Sequence, residues 1–301
     1  MKKLNIIVIF LFLLSYSVKA QEVIELYQGA IPNSIGGIPE GAGYTGTPGM
    51  IRKVFRPSIE VYKPEEGKSN GVAVVICPGG GYSVIVFQGE GVSTAKELAK
   101  NGVTAFVLKY RLPDDSLQTD KKNAPLQDAQ QAIKVVRENA AKWGVDPNKI
   151  GIMGFSAGGH LASTEATHFE KSLIENSNNT SLRPDFQILV YPVISMQDKL
   201  THADSRRQLL GNNPSKENID LFSNELQVYE NTPPAYITHA ADDKLVDVDN
   251  SIEYFEQLRK HNVPVEMHIY PKGGHGFIFK HEGWMIPLFQ WMKDSKLVNK
   301  Q

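Results

Sequence analysis

Lys149-Ile150-Gly151-Ile152-Met153-Gly154-Phe155-Ser156-Ala157-Gly158-Gly159-His160 decides how the rest of the chain is read. Its first half, Lys149 to Phe155, interleaves Ile150, Ile152 and Phe155 with Gly151 and Gly154, the pattern of a short buried strand. Gly154 to Gly158 then fits G-x-S-x-G, and Leu161-Ala162 opens a helical run. A serine at such a strand-to-helix turn is held in a strained conformation that only tiny neighbours permit. The turn pushes its Oγ toward solvent and aims the next backbone N–H, that of Ala157, at whatever Ser156 attacks. The start of the helix adds partial positive charge where an oxyanion would form. Alone, the five-residue pattern occurs by chance; between a strand and a helix it predicts a nucleophile.

Outward from this stretch, strands alternate with helices. Val72 to Cys77 is a continuous β-branched run, as a strand buried on both faces should be, and Val103 to Tyr110 is the next buried strand. Phe186 to Tyr191, Ala235 to Thr238 and Val265 to Tyr270 follow the nucleophile strand, and Ser58 to Tyr62 reads as an edge strand. Helices are expected over Val92 to Lys100, over Leu126 to Ala141, where apolar residues recur at spacings of three and four, and around Ile252, Phe255 and Leu258. The alternation predicts an α/β fold with a mostly parallel central sheet covered by helices on both faces. Residues 21–57, rich in Gly and Pro, read as an extended N-terminal arm, and residues 58–301 as the catalytic domain. The polar stretch 196–231 is read as a cap or lid insertion.

Two further stretches fall where a serine hydrolase would need them. The strand ending at Thr238 runs into His239-Ala240-Ala241-Asp242-Asp243, which places two acids past a strand's carboxyl end. The strand ending at Tyr270 runs into Pro271-Lys272-Gly273-Gly274-His275-Gly276-Phe277, a histidine in a Gly-rich turn. The order Ser156, Asp, His275 is that of α/β-hydrolases, and all three sit in loops at the carboxyl ends of strands. His275 would take the proton of Ser156 and return it to the leaving alcohol, while a buried Asp would fix the imidazole tautomer. Either Asp242 or Asp243 could supply that carboxylate. After Cys77, Pro78-Gly79-Gly80-Gly81-Tyr82 brings backbone N–H groups close to a tetrahedral intermediate; Gly80, Gly81 and Ala157 are the expected oxyanion donors.

Four elements in this order amount to a resemblance. The chain resembles the esterase/lipase branch of the α/β-hydrolase superfamily and looks most like secreted bacterial carbohydrate esterases of acetyl-xylan-esterase type. It shares Pro-Gly-Gly-Gly-Tyr (78–82), Tyr110-Arg111-Leu112, the Gly-Phe-Ser-Ala-Gly-Gly-His elbow (154–160), Ser205-Arg206, Leu209-Leu210-Gly211, Thr232-Pro233-Pro234 and Gly-Gly-His-Gly-Phe (273–277). The resemblance covers roughly Phe55 to Trp291. It departs where Cys77-Pro78 replaces the His of the common His-Gly-Gly-Gly loop and where Asp247 replaces a usual Pro. The family pattern His-Gly-x-x-Asp-x-x-Val falls on His239 to Val246 with Asp243 in the acid position. The resemblance implies a serine esterase acting on short acyl groups, with an acetylated polysaccharide such as xylan, or its oligosaccharides, as substrate. Tyr82, Phe277 and Trp284 are the expected substrate contacts.

Composition sets the outer limits. A formal net charge of −1 and the absence of a basic run argue against nucleic acid as a partner. No metal-ligand spacing and no nucleotide fingerprint appear, Gly36, Gly37, Gly41 and Gly43 reading as a loose loop, so neither a cofactor nor a metal is implied. Lys2-Lys3, the apolar run from Ile6 to Leu14 and Val18-Lys19-Ala20 form a signal peptide over residues 1–20. The mature protein is therefore expected to be secreted or periplasmic, with no stable membrane association after cleavage. Cys77, the sole cysteine, allows no internal disulfide and reads as packing. His160 reads as a packed histidine, Asp128 as a structural partner of Arg111, and Glu90 and His202 as single polar residues, more often solvated than in contact with substrate. The rivals are a prolyl-oligopeptidase-like peptidase, whose extra β-domain finds no room here; a glycoside hydrolase such as a xylanase, which needs two flanking carboxylates; and a non-catalytic relative, which should have lost a triad residue.

Overall fold

A computed structural model describes residues 21–36 and 44–298. The expected signal peptide at 1–20 and the loop residues Gly37, Gly41 and Gly43 lie outside the described residues. The segment read as an extended arm carries strands: Val23–Glu25 (β1), Tyr44–Thr47 (β2) and Met50–Val54 (β3). β2 and β3 form a hairpin outside the main sheet, and Ile51 of β3 also bridges Ile85. β1 pairs antiparallel with Ser58–Tyr62 (β4), so β4 lies one place in from the sheet edge where the sequence reading put it. Strands this short, in a Gly- and Pro-rich background, show no period of two.

The strand Ala73–Cys77 (β5) is buried along its whole length. A π-helical turn, Phe87–Val92, leads into the helix Ser93–Lys100 (α1) and the buried strand Thr104–Lys109 (β6). The helix Ala124–Glu138 (α2) starts on a proline-containing first turn and stops short of Ala141, because a separate 3-10 turn, Ala140–Trp143, ends on Gly144 in the left-handed region. Ile150–Phe155 (β7) passes directly into Ser156–His168 (α3). The chain continues through Gln187–Val190 (β8), Ala203–Leu210 (α4), Lys216–Leu221 (α5) and Ala235–Ala240 (β9). Asp249–Lys260 (α6), Val265–Tyr270 (β10) and Ile286–Asp294 (α7) complete it, and α7 had no counterpart in the sequence reading.

The eight-stranded sheet runs β1-β4-β6-β5-β7-β8-β9-β10 and is parallel from β6 to β10. Leu126 and Ile133 of α2, Leu161 of α3 and Leu258 of α6 pack with Val75, Phe106 and Ile152 on one face. Leu98 of α1 and Leu288 and Trp291 of α7 pack with Val74, Val107 and Met153 on the other. Strand order reverses around β5, with β6 on one side and β7 on the other. The loops leaving β5 and β7 therefore open onto a shared crevice at their carboxyl ends, where open α/β sheets bind ligands.

Arg111 and Asp128 fasten the N-terminal segment to this frame. The Asp128 carboxylate accepts from the backbone N–H, Nε and Nη2 of Arg111, at 2.7, 3.0 and 2.8 Å. Nη1 of Arg111 donates to the carbonyl of Pro32 at 2.6 Å, and the Tyr27 hydroxyl to Asp128 at 3.1 Å. A buried pair of this kind is worth having only when its remaining hydrogen-bonding groups are also satisfied, as they are here. Among the described residues no helix is long and apolar enough to cross a membrane.

One buried carboxyl in α3 lacks such compensation. Glu165 is fully buried, and neither carboxylate oxygen has a hydrogen-bond partner among the described residues. Burial pushes its carboxyl well above the ordinary 4.5, against the pull of the Arg137 charge. Folding thus retains a proton that the unfolded chain releases above 4.5. Its contribution is fully present below that pH and is lost as the pH rises toward the folded value, by about 1.4 kcal/mol per unit. Glu165→Leu is expected to stabilise the protein at pH 8 by about 1–3 kcal/mol and by less at pH 5. Thermal melts at the two pH values check this; a variant melting below the parent at pH 8 would mean that Glu165 is usefully paired.

Candidate active site

Ser156 has φ of 51°, in the left-handed region, at the junction of β7 and α3. A non-glycine residue held there stores about 1–3 kcal/mol of strain, which the surrounding structure must impose. The two glycines of the motif make that possible by close approach. A Cβ on Gly158 would lie 2.1 Å from the Cys77 carbonyl oxygen, and one on Gly154 would lie 2.1 Å from that of Gly158. Ser156 is 6 % exposed rather than protruding, because His275 and the glycine loop close over it.

Ser156 Oγ lies 2.9 Å from His275 Nε2, and His275 Nδ1 lies 2.7 Å from Asp243 Oδ2. With the Asp243 carboxylate accepting at Nδ1, the neutral imidazole carries its proton there and Nε2 is free to accept from the serine. The same Oδ2 takes a second imidazole, His239 Nε2 at 3.1 Å, while Oδ1 accepts from the N–H groups of Leu245 and Val246 at 2.9 and 3.1 Å. His239 Nε2 also faces the Val246 carbonyl, and its Nδ1 faces the Ser251 hydroxyl, so Nε2 is the protonated nitrogen. Burial pushes the Asp243 carboxyl up, but the bonds from His239 and His275 outweigh it and hold the group well below the usual carboxylate range. Asp242 is exposed, and its Oδ1 accepts the Gly274 N–H at 2.7 Å, so it fixes the turn carrying His275 without touching the imidazole.

The loop after β5 packs on this elbow. The hydroxyl of Tyr110 holds the Pro78 carbonyl at 2.7 Å, and the Gly80 carbonyl accepts from the N–H groups of Ser83 and Val84. Gly80 has φ of 126°, and a Cβ there would lie 2.0 Å from the Val84 carbonyl oxygen, so only glycine fits. Among the described residues the N–H groups of Gly80 and Gly81 find no acceptor, and that of Ala157 lies in the first turn of α3, where helical N–H groups go unpaired. Gly81 lies beside the segment 196–231: its Cβ position would be 4.0 Å from His202 Cε1 and from Ser205 Oγ.

Side chains nearby sort differently from the sequence reading. Tyr82 and Phe277 are buried, so neither offers a ring to substrate. Tyr82 has φ of 60°, which turns its ring into the core, where its hydroxyl meets His160 Nδ1 at 2.8 Å. Phe277 packs against Tyr191, Tyr270 and Trp284. Trp284 is half-buried against Phe155 and, with Gly89, Phe279 and Ile286, lines a surface cavity of about 500 Å³ that includes none of Ser156, Asp243 or His275. His160 is packed, its Nε2 facing the Phe222 carbonyl at 2.8 Å; burial lowers its pKa to about 4. Through Phe222, and through Asn224, whose side chain donates to the His160 carbonyl at 3.1 Å, the segment 196–231 is anchored on α3. Glu90, read as more often solvated, is buried beside Gly79, and His202 is half-buried at the start of α4. Burial pushes up the pKa of the Cys77 thiol at its strand end. Among the described residues no group of three or more His, Cys, Asp or Glu side chains could hold a metal ion.

A strained serine between parallel strand and helix, a histidine and a doubly held aspartate after later strands, and a glycine loop after β5 together make the α/β-hydrolase arrangement. A family model matches residues 59–258, and the chain belongs to the BD-FAE family. It is 37% identical over 236 residues to endo-1,4-beta-xylanase B of Butyrivibrio fibrisolvens, a match covering 76% of this chain and 36% of that protein. It is 38% identical over 233 residues to an acetylxylan esterase of Xylanibacter ruminicola, covering 74% of this chain and 46% of that one. This chain thus spans less than half the length of either relative. Among solved structures, an acetyl ester-xyloside bifunctional hydrolase from Caldicellulosiruptor lactoaceticus superposes with a TM-score of 0.77 at 34% identity, over 92% of this chain and 97% of that one.

Proposed function

We propose that this chain is a serine esterase that removes short acyl groups, acetyl above all, from an acylated plant polysaccharide such as xylan or from its oligosaccharides. The observation that carries the chemistry is the continuous relay from Ser156 Oγ through His275 to Asp243, at 2.9 and 2.7 Å, beside unengaged backbone N–H groups. Ser156 Oγ attacks the ester carbonyl carbon as its proton passes to His275 Nε2. The resulting imidazolium keeps its Nδ1–H on Asp243, and the N–H groups of Gly80, Gly81 and Ala157 take the oxyanion. The intermediate collapses, the C–O bond to the alcohol breaks, and the alcohol leaves with the proton from Nε2. Water, deprotonated by the same nitrogen, then attacks the acyl-enzyme, and the acid departs as Ser156 regains its proton.

The substrate side is supported by the names of the relatives, which include an acetylxylan esterase and an acetyl ester-xyloside hydrolase. The leader pattern in residues 1–20 supports a place outside the cytoplasm, secreted or periplasmic. The test takes protein exported by a bacterial host, with Gln21 expected at its N-terminus. Acetate release is measured from acetylated xylo-oligosaccharides, together with cleavage of 4-nitrophenyl acetate and octanoate. We expect acetate release and faster cleavage of the acetyl ester. A methylene in an apolar pocket is worth about 1–3 kcal/mol, so neighbouring short chains should differ only modestly. A preference for octanoate with no acetate released from any glycan would make this a lipase-like enzyme. Xyloside cleavage with acetyl groups left intact would favour a glycosidase.

A further inference from the structure

The structure assigns a role to Glu90 that rests on the triad reading above: its buried carboxyl is a positioning residue that braces the glycine loop with one oxygen and the support of His275 with the other. Oε2 accepts the N–H of Gly79 at 2.6 Å, and Oε1 accepts the hydroxyl of Tyr191 at 3.0 Å. Gly79 immediately precedes the two glycines whose N–H groups find no acceptor among the described residues. It also touches the elbow, since a Cβ on it would lie 2.6 Å from the Phe155 carbonyl oxygen and 2.9 Å from Ser156 Cβ. Tyr191 directly follows β8 in the left-handed region, at φ of 36°, and its ring centroid is 4.7 Å from that of His275. One carboxyl therefore ties the proposed oxyanion donors to the aromatic wall on which the proposed base rests.

Several features favour this over a buried acid that merely fills space. Glu90 is 5 % exposed, and both its oxygens are engaged by donors belonging to the site. It stands in the π-helical turn Phe87–Val92, a local widening that recurs at functional sites. Burial raises its carboxyl to about 7, against the pull of the Gly79 N–H, the Tyr191 hydroxyl and the His275 charge. In so dry a setting a hydrogen bond to a carboxylate is short and strong, and can hold a loop in register. Small displacements of donors matter greatly, because they must meet the developing oxyanion at hydrogen-bonding distance.

The experiment compares the parent with Glu90→Ala, Glu90→Gln and Tyr191→Phe. Three quantities are read: the thermal midpoint, kcat and KM on 4-nitrophenyl acetate, and the rate at which a fluorophosphonate labels Ser156. Glu90→Ala is expected to lower kcat and the labelling rate together by about 10–100-fold, with KM changed less than about threefold. Glu90→Gln retains an acceptor for the Gly79 N–H and should recover most of that loss, leaving about 3–10-fold. Tyr191→Phe, which loses only one hydroxyl, should lose about threefold or more. A role in stability alone would lower the midpoint and leave the labelling rate of folded protein at the parental value; that result overturns the inference. If Glu90→Ala does not fold, the other two variants decide. Parental labelling in both refutes the inference, and a loss in either supports it. Labelling needs no ester, so a parent labelled at Ser156 that releases no acetate refutes the substrate reading alone. A parent not labelled at Ser156 overturns both.

Discussion

Ser156→Ala is expected to abolish ester hydrolysis, lowering kcat by about 10^6-fold, the scale seen when a triad nucleophile is removed. The loss is that large because His275 and Asp243 act only through the Oγ that the first of them contacts at 2.9 Å. The fold should persist, since alanine keeps the Cβ that Ser156 already carries in its left-handed conformation and removes one hydroxyl that, among the described residues, bonds only His275. A fluorophosphonate should label the parent and leave the variant unlabelled, with the two thermal midpoints within a few degrees. Labelling of a different serine, with activity retained in the variant, would sink the assignment of the nucleophile.

Asp243→Asn carries the second-largest expected effect, a fall in kcat of about 10^4-fold. An asparagine amide can present either its oxygen or its NH2 to His275 Nδ1, and the second choice forces the tautomer whose Nε2 cannot accept a proton. His239 opposes that flip, because its Nε2–H donates to the same position, but the N–H groups of Leu245 and Val246 at the other oxygen favour it. Asp242→Asn should be mild, within about threefold, since an amide oxygen can still accept the Gly274 N–H and the residue is exposed. Steady-state kinetics on 4-nitrophenyl acetate rank the two variants; the opposite order would move the acid to Asp242.

Much of this site can be read from local sequence. The elbow, the glycine loop and the His275 turn are spelled by Gly at fixed offsets from the ends of apolar β-branched runs, and that punctuation survives without knowledge of the fold. The relation of Asp243 to His275 is local in the same sense, once strand order is known. What stays hidden depends on where the chain turns back. Glu90 meets Tyr191 from 101 positions away, and nothing in Phe87-Gln88-Gly89-Glu90 foretells it. His239 was visible as part of a motif, but its hold on Asp243 was not. Tyr82 and Phe277 mislead because adjacency to a site residue does not fix side-chain direction. Left-handed backbone at Tyr82 itself and at Gly276, φ of 60° and 77°, swings both rings inward. The short strands β1 to β3 and the helix α7 escape for a simpler reason: too few residues, or no punctuation clear enough, to establish a period.

The clasp made by Arg111 and Asp128 orders events in time as well as in space. Tyr27 and Pro32 are synthesised early, yet their partners Asp128 and Arg111 lie 101 and 79 positions further along the chain. Until α2 exists, Tyr27 and Pro32 lack these two partners, and joining ends so far apart carries a loop-closure penalty that local helices never meet. β1 can pair with β4 once Ser58–Tyr62 has been made, but the stretch from Tyr27 to Pro32 must wait while the chain from β5 to α2 is completed behind it. The last fastening of this stretch is therefore made by two side chains from the middle of the sequence, after its neighbouring strand has already found its place.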